Sequence, residues 1–185
     1  MSPVDNQVAP PLTWHEMAQT FVQAKGLKVG VEVGVWYGGL SRRLLAAGVE
    51  ALTLVDPWQV VTELTDEGLR IWGPGYTTDE MEAAAHSVLA WAETEPRVWV
   101  FREPSILAAR HVPDFSQDFV ILDARHDYAA VMDDIEAWLL KVKPGGYLLG
   151  DDYGDYFPGV AKAVHEWFGD TVTVEAPLWY RQVPV

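Results

Sequence analysis

The chain contains no cysteine among its 185 residues, which excludes disulfide bonds and any zinc site built on thiolates. The same absence fits a reducing compartment, and we expect a cytoplasmic protein. The N-terminal stretch MSPVDNQVAPPLTW lacks the basic start and apolar core of a secretory signal. No apolar run approaches the roughly 20 residues that a membrane-spanning helix needs, so the sequence predicts no membrane partner.

Basic residues are also scarce, since 13 Lys and Arg stand against 27 Asp and Glu, for a formal net charge of −14. Such a surface repels phosphate backbones, which argues against a nucleic-acid partner. The shortage of basic side chains also disfavours a strongly anionic substrate. The length suits one domain, which we place at 1–185, with a leader and helix at 1–27.

Strand and helix patterns alternate along the chain. Capping boxes at Thr13/Glu16 and Thr77/Glu80 predict two helix starts, and Gly26 predicts the end of the first helix. The apolar runs predict five parallel strands, KVGVEVG, ALTLVD, VWVF, DFVILD and YLLGDD, and a terminal hairpin, TVTVEA and LWYRQV. The fold class is therefore α/β, with a doubly wound, mostly parallel seven-stranded sheet and an antiparallel C-terminal edge.

Two further helices are predicted from their apolar faces. The helix that follows DFVILD is expected to place on one face Val131, Ile135, Trp138, Leu139 and Val142. The helix that begins at Pro158 is expected to direct inward Val160, Val164 and Trp167.

Acidic residues stand at the carboxyl ends of the predicted strands. They are Glu32, Asp56, Asp123, Asp151 and Asp152. Ligands of doubly wound sheets bind outside these strand ends. The pattern therefore predicts a functional site at that edge.

A glycine-rich turn, VEVGVWYGGLS, joins the first strand to a helix. A phosphate-binding P-loop would fit Gly34 and Gly39, but Leu40 stands where its lysine is required. The dinucleotide pattern G-x-G-x-x-G does not occur, which disfavours a NAD-dependent oxidoreductase. The pattern E-x-G-x-x-x-G is satisfied by Glu32, Gly34 and Gly38.

Asp123 ends the fourth strand, and Asp151 and Asp152 end the fifth. Neighbouring strands lie about 4.8 Å apart, so these carboxylates should converge and repel one another unless a proton or cation neutralises them. Oxygen ligands suit Mg²⁺ or another divalent cation. The alternative is an acidic loop that caps the next helix.

The glycine-rich turn resembles the first motif of class I S-adenosylmethionine (SAM) methyltransferases, which have a Rossmann-like fold. The resemblance implies that SAM is the cofactor and lies against Glu32, Gly34, Trp36 and Gly38. It also implies that Asp56 accepts the ribose hydroxyls. An ordinary tight turn and a helix-capping Asp56 remain the alternatives.

The block from Asp118 to Tyr153 resembles small O-methyltransferases related to catechol and antibiotic-sugar methyltransferases, and the likeness extends over residues 28–182. It implies that Asp123, Asp151 and Asp152 are metal ligands. It also implies that Asp123 and His126 are catalytic, with His126 as general base; a loop histidine bonded to Asp127 is the alternative.

The resemblance implies two more cofactor contacts, at Ser105 and Arg125. Ser105 matches a position near the adenine, although it could equally be a helix N-cap. Arg125 departs from the family, in which Gly-Asp is common at Ala124-Arg125 and the second position can be aromatic and stack on adenine. Asp127 is expected to cap the helix that follows.

The resemblance implies methyl transfer from SAM to a hydroxyl of a small diol-like acceptor, such as a phenol, a sugar or a natural product. A non-catalytic SAM- or nucleoside-binding module is the alternative. Segment 57–76 is expected to be a lid or substrate-selecting segment, and a structural or dimer-contact role is the alternative. A homodimer therefore stays open. Some of the aromatic residues near this edge are expected to cover the cofactor or the acceptor; the candidates are Trp36, Tyr37, Trp58, Trp72 and Tyr76. No role is assigned to His15, His86, His111 or His165.

Overall fold

The computed structural model describes residues 12–60 and 77–185. Most of the predicted lid, with Trp72 and Tyr76, lies outside the described residues, so its role stays a prediction. The helices are α1 (Trp14–Lys25), α2 (Gly39–Ala46), α3 (Thr78–Ala92), α4 (Ser105–Ala108), α5 (Tyr128–Leu139) and α6 (Pro158–Phe168). The strands are β1 (Val29–Val33), β2 (Ala51–Val55), β3 (Val98–Phe101), β4 (Gln117–Leu122), β5 (Val142–Gly150), β6 (Thr173–Glu175) and β7 (Leu178–Gln182).

The seven strands form one sheet in the order β3-β2-β1-β4-β5-β7-β6. Strands β1 to β5 pair in parallel, whereas β7 pairs antiparallel with both β5 and β6. The predicted fold class and terminal hairpin are confirmed. Apolar side chains of α1, α2 and α3 cover one face of the sheet, and those of α4, α5 and α6 cover the other.

Local capping explains where several helices begin and end. Both predicted capping boxes form, at Thr13/Glu16 and at Thr77/Glu80. Gly26 ends α1 in the left-handed conformation, as expected for a C-terminal glycine. Within the described ranges, no helix is long and apolar enough to cross a membrane.

Two predictions about helix faces are wrong. Val142 belongs to β5, because α5 ends at Leu139 and the chain turns before it reaches the sheet. Trp167 is 37% exposed, whereas Val160 and Val164 of the same helix are buried. The inward stripe of α6 is therefore narrower than the apolar pattern indicated.

Candidate active site

A pocket of about 810 Å³ opens at the carboxyl edge of the parallel strands. It extends across the edge, with His15, Gly39 and Leu40 on the side of α1 and α2 and with Ser105 and Arg125 on the side of α4 and α5. The predicted site residues that line it are Glu32, Gly34, Trp36, Asp56, Ser105, Asp123, Arg125 and His126. Gly38, Asp151 and Asp152 are not part of its wall.

The two motif glycines adopt backbone conformations with positive φ. Gly34 has φ +88, and a Cβ there would overlap the backbone carbonyl of Asp123. Gly38 has φ +71 and is the N-cap of α2. Gly34 thus lets β1 and the chain after β4 come together at the floor of the pocket.

Asp56 holds the glycine-rich turn in place. Its Oδ2 accepts hydrogen bonds from the backbone N–H groups of Val35 and Trp36, both at 2.9 Å. Its Oδ1 accepts the N–H of Trp58 at 2.7 Å. Each carboxylate oxygen has two lone pairs, and among the described residues only the Trp58 N–H donates to Oδ1. Ribose binding by Asp56 stays a prediction, and the carboxylate has a second role as a clamp on the turn.

Glu32 is buried in the wall of the pocket, with 2% of its surface exposed. Burial raises its pKa well above the usual range of a glutamate, and the nearby Ser41 hydroxyl lowers the pKa only in part. Within the described residues, neither Oε2 of Glu32 nor the Ser41 hydroxyl meets the geometry of a hydrogen bond. An unbonded, buried carboxylate oxygen is costly unless a ligand supplies a donor.

An acidic cluster lies beside the pocket and consists of Asp123, His126 and Asp152. Nε2 of His126 lies 2.8 Å from Oδ2 of Asp152 and 3.4 Å from Oδ1 of Asp123. The ring of Phe157 packs at 4.6 Å from the imidazole, centroid to centroid. Burial lowers the pKa of His126, but the two carboxylates outweigh burial and raise it to about 9. His126 in this arrangement holds a proton at neutral pH.

The sequence of the chain identifies its family. Residues 31–153, more than half of the chain, match the sequence model of a methyltransferase domain, methyltransferase family 24. The chain belongs to this family. It is a SAM-dependent methyltransferase, as the glycine-rich motif implied. No curated protein sequence gives a significant match.

Solved O-methyltransferases share the fold of this methyltransferase. TomG from Streptomyces achromogenes, which is involved in tomaymycin synthesis and was solved with SAM, is 16% identical with a TM-score of 0.63 over 97% of this chain and 83% of its own. The O-methyltransferase NovP is 20% identical with a TM-score of 0.61, covering 92% and 78%. The O-methyltransferase from Bacillus cereus with bound SAH is 17% identical with a TM-score of 0.56, covering 96% and 84%.

Asp151 of the methyltransferase is not one of the three residues of the acidic cluster. It lines a small cavity together with His126, Asp134 and Trp179. Burial and the charge of Asp152 raise the pKa of Asp151 to about 7. Both aspartates follow β5, which ends at Gly150, and Asp152 has a left-handed backbone with φ +61. The cluster that could hold a cation contains His126 and not Asp151. The metal ligation predicted for Asp151 therefore stays a prediction.

Ser105 is the first residue of α4 and not its cap, because the N-cap is Pro104. The Ser105 hydroxyl is bonded to the buried carboxylate of Asp134 and accepts the indole N–H of Trp138 at 2.8 Å. Burial raises the pKa of Asp134 to about 6, although the Ser105 bond opposes the shift. Contact of Ser105 with adenine stays a prediction.

Arg125 and Asp127 lie in the turn after β4 and form an ion pair. Arg125 lines the pocket, where a cofactor contact was predicted, and its guanidinium pairs with Asp127 at 2.7 Å. Asp127 also accepts the N–H of Ala130 and is the N-cap of α5, which confirms its predicted capping role.

The aromatic side chains near the pocket differ in exposure. Trp36 and Tyr37 are exposed and line it, as does Tyr156, which the sequence did not single out. Trp58 is only 2% exposed and belongs to the core. The indole N–H of Trp58 donates to the carbonyl oxygen of Trp36 at 2.8 Å, so Trp58 supports the turn.

His15 is a pocket residue that sequence reasoning missed. It lies in the first turn of α1 and lines the pocket, although no motif marks it. Its placement depends on the packing of α1 beside α2, which no local spacing reveals.

Proposed function

We propose that this methyltransferase transfers the SAM methyl group to a hydroxyl oxygen of a small acceptor that carries a neighbouring oxygen. The observation that carries the proposal is the cluster of Asp123, His126 and Asp152 beside a pocket of cofactor size. The O-methyltransferases that share the fold support the same reaction class.

The donor set fits a divalent cation, because one ligand atom from each of Asp123, His126 and Asp152 lies within 4.8 Å of the others. A cation bound there would lower the pKa of the acceptor hydroxyl and would favour an acceptor with two adjacent oxygens. The carboxylates suit Mg²⁺, whereas an imidazole nitrogen shifts the preference toward metals such as Mn²⁺.

Methyl transfer forms a carbon–oxygen bond, breaks the carbon–sulfur bond of SAM, and releases S-adenosylhomocysteine (SAH) and the proton of the acceptor hydroxyl. The pocket orients the two reactants in line, and that proximity supplies much of the rate. Trp36, Tyr37 and Tyr156 offer ring surfaces for a planar or sugar-like acceptor at the pocket wall. In a cluster without a cation, His126 would act as the base only after losing the proton that Asp123 and Asp152 stabilise.

The test combines SAH titration with methyl transfer to a library of phenolic and sugar diols, with and without a chelator. Asp152→Asn is the key variant, because asparagine tolerates the left-handed backbone at this position. We expect this variant to bind SAH normally, to bind the divalent cation at least about tenfold more weakly, and to lose transfer. Asp155→Asn, an exposed neighbour outside the cluster, is the matched control.

Full activity in excess chelator would contradict the metal assignment while leaving O-methyl transfer intact. SAH binding without turnover on any acceptor would favour the alternative of a non-catalytic SAM-binding module. The NAD-dependent alternative receives no support from the family match. A homodimer remains a prediction that size-exclusion chromatography with light scattering can test.

A further inference from the structure

His15 stands at the N-terminus of α2, at one end of the pocket. A Cβ built on Gly39, the first residue of α2, would lie 3.3 Å from Cε1 and 3.7 Å from Nδ1 of the His15 ring. His15 and Gly39 both line the pocket. Burial and Arg43 lower the pKa of His15 while Glu16 raises it, with a net decrease, so the ring is neutral at pH 7 and retains one N–H donor.

The N-terminus of α2 is open toward the same space. Its N-cap, Gly38, has no side chain to accept a hydrogen bond, and no acidic residue occupies the first turn. The first amide N–H groups of a helix have no acceptor within the helix, and the helix dipole adds positive potential there. Gly39 and Leu40 of this turn line the pocket. This end of the pocket therefore favours a negatively charged ligand group.

Glu32 places a buried carboxyl group on the same side of the sheet. Residues alternate between the faces of a strand, and the neighbours Val31 and Val33 pack among the core residues on the face covered by α4, α5 and α6. Glu32 accordingly points toward α2 and Ser41, and its buried Oε2 has no hydrogen-bond partner among the described residues. N–H donors beside a lone buried carboxylate match a ligand with an adjacent carboxylate and ammonium.

We propose that His15 is a binding residue for the α-carboxylate at the methionyl end of the methyl donor, together with the N-terminus of α2. The ammonium of the same group meets Glu32. The adenosine end then lies across the sheet edge, toward Ser105 and Arg125. The inference rests on SAM as the methyl donor, and it makes His15 responsible for preferring the complete cofactor over its nucleoside portion.

The experiment compares the dissociation constants of SAH and 5′-methylthioadenosine, which lacks the carboxylate and the ammonium. Calorimetric titrations use the wild type, His15→Phe, His15→Gln and His86→Ala. Phenylalanine preserves a ring against Trp14, whose ring lies 4.6 Å from His15, but has no N–H donor, whereas glutamine keeps a donor. His86 is exposed and outside the pocket wall, and so serves as control.

We expect His15→Phe to weaken SAH binding by about tenfold or more, the scale of a hydrogen bond to a charged group. Binding of 5′-methylthioadenosine should stay within about twofold of the wild type, and His15→Gln should recover most of the SAH affinity. Equal losses for both ligands, or an unchanged SAH affinity in His15→Phe, would overturn the role of His15. A wild type that binds neither ligand would instead overturn the methyl-donor assignment, and the inference with it.

Discussion

Asp134 has a buried carboxylate that bonds to the hydroxyl of Ser105. It lies on α5 and is 6% exposed, and Ser105 in turn accepts the indole N–H of Trp138. Burial raises the pKa of Asp134 to about 6. Burial favours the protonated form of this carboxyl group, and the hydrogen bond donated by Ser105 opposes that shift only in part. The protonation of Asp134 therefore links the Ser105 side of the pocket to pH.

The free energy of unfolding should therefore depend on Asp134 in a defined pH window. Its folded-state pKa of about 6 lies above the unfolded value, so the folded protein binds more protons between about pH 4 and 6. Stability from this group is greatest below pH 4, falls as the pH rises through the window, and is constant above it. Relative to Asp134→Asn, the wild type should lose about 3 kcal/mol across the window.

Urea unfolding of both proteins at intervals from about pH 4 to 7 measures this difference. Parallel stability profiles for the wild type and Asp134→Asn would show that the carboxylate titrates normally. Asp133→Asn, on the adjacent position and without the Ser105 bond, is a suitable control.

The turn between β1 and α2 brings two parts of the chain into backbone contact. Gly34 donates its N–H to Val55 at 2.9 Å, and the N–H of Asp123 bonds to the carbonyl of Val33 at 2.8 Å. The three strands β2, β1 and β4 thus end together at the floor of the pocket. A side chain on Gly34 would separate them.

Gly34→Ala should destabilise the protein by more than about 3 kcal/mol, since it adds a backbone overlap with Asp123 to the strain of a positive φ. Gly26→Ala is the matched control, because Gly26 also has a positive φ but a Cβ at that position would have nothing within 4 Å. That variant should lose only about 1 kcal/mol. Thermal unfolding of both variants measures the contrast, and equal losses would show that backbone strain alone matters.

The elements themselves were predictable, because capping boxes, apolar runs and strand-end acids are local patterns. Details that depend on tertiary packing were not. The left-handed backbone of Asp152, directly after β5, has no sequence signature. The bridge from His126 to Asp152 and the position of His15 beside Gly39 likewise arise from elements distant in the chain.

The net charge of −14 acts on the whole molecule. SAM carries one net positive charge at neutral pH, whereas SAH carries none, because methyl transfer removes the sulfonium. A negative protein field attracts the charged substrate more strongly than the neutral product, and salt screens that attraction. The charge therefore favours capture of SAM over retention of SAH.

Raising the salt from about 20 to 300 mM should slow SAM association several-fold and change SAH association by less than about twofold. Stopped-flow measurements with each ligand under both conditions test the difference. The same salt dependence for SAM and SAH would indicate that the field at the pocket mouth is negligible. Uncharged osmolyte at matched viscosity is the control.

The clamp of Asp56 on the turn also gives the protein an internal optical probe. Asp56 accepts hydrogen bonds from the backbone N–H groups of Trp36 and Trp58. The indole N–H of Trp58 donates to the carbonyl oxygen of Trp36. One of these indoles is exposed at the pocket and the other is buried. A ligand that forms a hydrogen bond with the Asp56 carboxylate would change the surroundings of both indoles. Intrinsic tryptophan fluorescence can therefore report occupancy of the pocket without a label.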